Sequence, residues 1–286
     1  MKYLMTKHQL SQDKIQKKRK EGDKPDQKKI LQIYASLYDA YGPQGWWPIG
    51  GTYEKKRERC LSEKERFEIM IGAILTQNTA WKNVEQALQK LDRQNAIRPK
   101  EIIAMHHEQL STLIRSAGYY NQKAERLKIF SQFLIKNPTQ ELSKKETLKL
   151  REQLLSIKGI GPETADSMML YALDKPIFVI DAYTKRIMSR IGLCSQNITY
   201  EEAQKMMHKT LMGNDAKQNI RTYQEYHALL VELAKKHCRS KPECTGCPIK
   251  SICHTGKAPK GDIKLQNNLK TRKKTEKAKQ SIKPAL

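Results

Sequence analysis

Four cysteines, Cys238, Cys244, Cys247 and Cys253, fall within sixteen residues in the spacing C-x5-C-x2-C-x5-C. Four thiolates this close suit a metal better than a pair of disulfides. Zinc sites usually join two short Cys-x-x-Cys knuckles, and only one is present, with Pro248 just after it. A [4Fe–4S] cluster held by all four is therefore the expectation, with zinc the alternative. Cys60 and Cys194 stand apart and read as buried or free thiols. His237 and His254 flank the run and read as incidental.

A second group of residues begins at "SIKGIGPETAD", residues 156–166. The segment upstream has helical patterning, so this turn joins helix to helix. Gly159 and Gly161 permit backbone angles and close approach that larger residues resist. Pro162 suits the first helical position, where no N–H is needed. Such a turn leaves amides free at a helix N-terminus, which suits a phosphate. A dinucleotide loop would need a preceding strand and a third glycine, and neither is there. On its own the motif fits an ordinary helix–turn–helix connection equally well. About twenty residues later comes a lone acid, Asp181, in "FVIDAY".

The elements that must carry these residues read as helices. Apolar stripes are formed by Leu31, Tyr34, Leu37 and Tyr38, by Phe67, Met70, Ile71, Ile74 and Leu75, and by Trp81, Val84, Leu88 and Leu91. Further helices fit 122–136, 146–156, 162–173, 182–191, 200–210 and 221–236. Turn signals fall at "RPK" (98–100), "SAGYYN" (116–121) and "KNP" (136–138). The only strand-like run, "IFVI", has four residues, so the expected class is all-α. No apolar run approaches the ~20 residues a membrane helix needs, and the N-terminus lacks a signal-peptide core. The expected location is cytoplasmic, with nucleoid association in a bacterium.

Charge points to the partner. The 286 residues carry a net charge of +24, which favours a polyanion, most simply nucleic acid. Residues 1–29 hold ten Lys/Arg against four Asp/Glu, and residues 256–286 hold ten against two. Both tails lack apolar periodicity and read as disordered basic arms.

Taken together, the glycine turn, the aspartate about twenty residues on and the four-cysteine loop resemble the endonuclease III superfamily of DNA glycosylases over residues 30–255. The resemblance implies two helical lobes with damaged double-stranded DNA between them and a monomeric protein. One lobe is a helical barrel with the helix-hairpin-helix, residues 58–175. The other joins residues 30–57 to 176–255, which carry the [4Fe–4S] loop. It further implies that Asp181 is the catalytic acid group and that Lys158, Gly159, Gly161 and Thr164 grip DNA phosphate. Gln77 and Tyr119 would enter the duplex beside the extruded base. Bifunctional members carry a lysine two residues after the second glycine, and here that residue is Glu163. A carboxylate cannot form the Schiff base that leads to strand cleavage. The resemblance thus implies a monofunctional enzyme that stops at an abasic site.

The segment "YGPQGWWPIGG", residues 41–51, bears on the base. Core packing is the ordinary role of such tryptophans. The segment also resembles that of endonuclease III-like 3-methyladenine DNA glycosylases. That likeness implies an alkylated purine held between Trp46 or Trp47 and Phe67, with Glu163 adding negative potential. A methylated ring is cationic and is attracted to aromatic faces. Lys235 shares a helix face with His227 and Val231 and is a further pocket candidate, although a solvated or phosphate-facing lysine is the simpler expectation. The rivals are a bifunctional oxidised-pyrimidine glycosylase/lyase, a mismatch adenine glycosylase and a non-catalytic DNA-binding hairpin protein.

Overall fold

The computed structural model describes residues 26–55 and 59–258. The expected basic arms therefore lie largely outside the described residues. Their inner edges are corrected: helix α1 already runs over 26–41, and a last short helix extends to Lys257. Among the described residues the fold is helical, with a single isolated β-bridge between Ile49 and Thr52.

The face of α1 also differs from the expected stripe. Ile30, Ile33 and Leu37 are buried, while Leu31 and Tyr38 are 50% and 41% exposed. The buried stripe is the i, i+3, i+7 set that begins at Ile30, one residue before the expected one. α1 packs on the C-terminal half of the chain: the Tyr226 hydroxyl donates to the Ile30 carbonyl at 2.9 Å, and Tyr34 lies against Tyr226.

The central pair of helices is α2 (Glu63–Leu75) and α9 (Pro162–Tyr171). Every residue of α2 from Phe67 to Leu75, and of α9 from Thr164 to Tyr171, is buried. Helices buried on all sides belong in the middle of a core, and these two pack on each other. Around them lie α3 (Trp81–Arg93), α4 (Pro99–Ala104), α5 (His107–Leu113), α6 (Tyr120–Lys136), α7 (Thr139–Lys144) and α8 (Thr147–Leu155). α4, α5 and α7 have six or seven residues each, too few for their periodicity to stand out in the sequence.

The remaining helices are α10 (Ala182–Ile191), α11 (Tyr200–Leu211), α12 (Ala216–Lys236) and α13 (His254–Lys257). α12 packs on α9, α10 and α11, and so joins the two groups of helices. It starts five residues before the expected 221 because Asp215 caps it, accepting from the Lys217 amide at 2.8 Å.

"IFVI" is extended but pairs with no strand. Side chains of α11 satisfy its backbone instead. Gln204 donates to the Phe178 carbonyl at 2.7 Å, the Phe178 amide donates to His208 Nε2 at 2.8 Å, and the Ile180 amide donates to the Tyr200 hydroxyl at 3.3 Å. Burial, with Arg151 nearby, pushes His208 down to about 4, so it stays the neutral acceptor this bond needs. The segment ends at Asp181, whose position is thereby fixed.

Candidate active site

The hairpin joins α8 to α9. Gly159 takes φ +87°, and a Cβ there would stand 2.6 Å from the Arg126 side chain. Gly161 is different. It has ordinary extended angles, and a Cβ on it would meet nothing within 4 Å. Only the first glycine is required by the fold; the second keeps an approach to the N-terminus of α9 clear. Gln77, just after α2, donates to the Gly159 carbonyl at 3.0 Å and to Thr164 Oγ1 at 2.9 Å, and accepts from Arg126. Gln77, Gly159 and Thr164 therefore meet in one place. Thr164 is buried, which leaves it behind the surface that a phosphate would touch. Lys158 is exposed and pairs with Glu125 at 2.9 Å. Tyr119 caps α6 with φ 46° and is 66% exposed.

Asp181 is the N-cap of α10. Its Oδ1 accepts from the Thr184 amide at 2.6 Å, and its Oδ2 lies 3.7 Å from His227 Nε2. Burial works to raise its pKa, but His227 and the Thr184 amide outweigh burial and hold it below the usual carboxylate value. Glu163, in the first turn of α9, is exposed to solvent and near enough to Asp181 to feel its charge. Surrounding protein first, and the Asp181 carboxylate second, push it up to about 7, while His227 and Lys185 pull the other way. Water reaching Glu163 screens part of this push. Of the two facing carboxyls, Asp181 is the one that stays ionised.

The aromatic corner packs differently from the expected slot. Trp47 is 3% exposed and Phe67 2%. Trp47 lies against Trp81 and Tyr171, with ring centroids at 5.3 and 5.4 Å, and sits on Gly72, where a Cβ would come within 3.3 Å of its ring. Trp46 is partly exposed and packs on Trp81 at 4.8 Å and Tyr53 at 6.1 Å. Trp46 or Trp47 and Phe67 thus do not form an open sandwich: Phe67 belongs to the buried face of α2, and the rings beside Trp46 are Trp81, Trp47 and Tyr53. Lys235 is exposed, with its Nζ 5.7 Å over the Trp46 ring.

All four cysteines line one partly open cavity. Burial, and then the neighbouring thiols, push Cys244 and Cys253 up. Among the described residues no three His, Cys, Asp or Glu side chains converge on a single-ion site. Arg190 holds the loop's entry, donating to Cys238 Sγ at 3.3 Å and to the Ser240 carbonyl at 2.7 Å. Cys194 is half-buried and Cys60 exposed, both away from this cavity.

Residues 71–211 match the family model described as HhH-GPD superfamily base excision DNA repair protein. A Methanocaldococcus jannaschii protein, provisionally named DNA repair glycosylase MJ1434, is 45% identical over 78% of this chain and 95% of its own. The chain belongs to the HhH-GPD superfamily. It is a base excision repair DNA glycosylase of the endonuclease III type. A Helicobacter pylori 3-methyladenine DNA glycosylase, MagIII, solved with 1,N6-ethenoadenine, is 27% identical, with TM-score 0.59 over 72% of this chain and 97% of that one. A trapped endonuclease III–DNA covalent intermediate shares the fold at 21% identity, with TM-score 0.63 over 81% and 97%.

This HhH-GPD chain also carries supporting residues that the motifs do not reveal. Arg151 of α8 forks onto buried Asp166 of α9 at 2.8 and 3.2 Å, and Tyr200 and Gln204 donate to the same carboxylate at 2.8 and 2.7 Å. The hairpin is thereby tied to α11, which holds "IFVI". Buried Lys123 donates at 2.8 Å to both the Leu75 and Ala117 carbonyls, just before Gln77 and Tyr119 respectively. Burial pushes it down to about 8. Helical spacing marks Asp166 and Lys123 as core positions. Their partners lie far off in the sequence, so no local pattern announces these pairs.

Proposed function

We propose that this glycosylase flips a damaged base out of duplex DNA, cleaves its N-glycosidic bond with water and leaves an intact strand at an abasic site. The observation that carries the reading is Glu163 facing Asp181. The position that would hold an attacking amine holds a carboxyl instead. Positive charge builds on the sugar as the bond breaks, and ionised Asp181 stabilises it or orients the water. Gln77 and Tyr119 fill the space left by the base, while Lys158 and the amides beside Gly159 and Gly161 hold phosphate.

The base is an alkylated purine such as 3-methyladenine. Support comes from the aromatic corner around Trp46 and from the likeness to MagIII. Lys235, over one face of Trp46, must move for a base to stack there. One observation favours the bifunctional alternative. Lys185 is near enough to Glu163 to lower its pKa, although its ammonium donates to the Ile198 carbonyl at 3.1 Å.

Cys238, Cys244, Cys247 and Cys253 hold a [4Fe–4S] cluster. Four thiols around one cavity match the four cysteine ligands that a [4Fe–4S] cluster takes. When bound it staples the C-terminal loop, since metal binding and local folding are coupled. The protein acts as a monomer. A panel of duplexes with single defined lesions, treated with and without alkali, tests the substrate class. Release of methylated purines supports it, and release of thymine glycol alone refutes it.

A further inference from the structure

Deep in the site, His227 on α12 and Tyr171 on α9 form a buried pair. The Tyr171 hydroxyl lies 2.7 Å from His227 Nδ1 and 3.2 Å from the Gln224 carbonyl. Burial holds Tyr171 well above its usual pKa, so the phenol keeps its proton. That proton has two acceptors and takes the nearer, Nδ1. The remaining ring hydrogen is then on Nε2. This atom is buried, has no hydrogen-bond partner in range, and faces Asp181 Oδ2 at 3.7 Å. The opposite tautomer would aim a lone pair at an ionised carboxylate, which is repulsive. A 3.7 Å contact is long for a hydrogen bond, but active-site contacts often tighten only when substrate is bound.

We propose that His227 is a positioning residue for Asp181. Its Nε2–H, fixed by Tyr171, holds Oδ2 while the Thr184 amide holds Oδ1, so that the carboxylate is ionised and aimed before the sugar charge develops. The inference rests on the reading of Asp181 as the acting carboxylate. The other titratable groups around Asp181 and Tyr171 are Glu163 on α9, Lys185 on α10 and Glu225 on α12. Asp181 feels them whether or not His227 is present, so removing the imidazole isolates its own contribution.

The test is single-turnover excision against pH on duplex carrying one lesion that the wild-type full-length chain excises. His227→Leu should lower the rate about 10- to 100-fold, the worth of a hydrogen bond to a charged group, with DNA affinity unchanged. The acid limb of its profile should move to higher pH, because a lost donor raises the pKa of Asp181. His227→Gln, which can present an N–H near the same point, should restore most of the rate and return the limb. Tyr171→Phe should shift the limb in the same direction by less. An unshifted limb in both His227→Leu and Tyr171→Phe, with Asp181→Asn inactive, overturns the inference and leaves the Asp181 reading standing. Equal losses in the Leu and Gln variants without a shift also overturn it. An active Asp181→Asn overturns both. If the Leu variant does not fold, the Gln and Phe variants decide by the same limb.

Discussion

Two buried neighbourhoods flank the site and are built on opposite principles. Around Asp181 and the hairpin each contact is directional: Arg151 forks onto Asp166, Asp181 caps α10 by accepting from the Thr184 amide, and Gln77 bridges Gly159 and Thr164. Around Trp46 the contacts are mainly ring against ring, tilted and edge-on. Directional bonds hold a few atoms where a reaction needs them. Ring packing fills volume and tolerates rearrangement. On the proposed reading, chemistry belongs to the first neighbourhood and choice of base to the second.

The comparison breaks most easily at Arg151. Arg151→Met strands the Asp166 carboxylate in the core, and losing one partner of a buried pair costs about 3–5 kcal/mol. Denaturant unfolding should register that loss. A change under about 1 kcal/mol would mean that Tyr200 and Gln204 suffice and the hairpin is not held by the fork.

Asp181→Asn comes next. It keeps the shape of the helix cap but removes the charge, and single-turnover excision should fall about 10²- to 10³-fold with lesion binding retained. Near wild-type turnover would move the chemistry elsewhere.

These two positions also mark what the sequence makes legible. Asp181, the glycine turn and the cysteine run are local patterns, and each needs only its neighbours to be recognised. The network that holds Asp181 is not local: Tyr200, Gln204 and His208 reach back to a segment 20 to 30 residues earlier. The aromatic corner misleads for another reason. Trp47 and Phe67 have the right residue types for stacking, but Gly72 lets the indole sink onto α2, and Phe67 lies on the inward side of that same helix. Residue type alone cannot separate a stacking ring from a core ring.

Trp46 is the residue that sharpens this second half. Trp46→Ala should weaken lesion binding by the ~1–3 kcal/mol of a stacked base, about 5- to 150-fold, with the excision step nearly unchanged. A fall in the excision step with binding intact would give the corner a chemical role and erase the contrast.

The smallest effect is the pH response of Glu163. This carboxyl carries its proton below about 7 and loses it above. A cationic base needs no proton from the enzyme, so its release should not fall as pH rises through 7. A neutral base helped by Glu163 as an acid should leave more slowly over that range. Rate–pH profiles on the two kinds of lesion check this.

The central claim is that Glu163 makes this glycosylase stop at the abasic site. Its most direct test is one duplex with a single excised lesion, run with borohydride and, separately, with alkali added after reaction. The account predicts no covalent enzyme–DNA adduct and strand breaks only after alkali. A borohydride-trapped adduct with breaks in untreated DNA would contradict it, and would reveal an active amine beside Asp181.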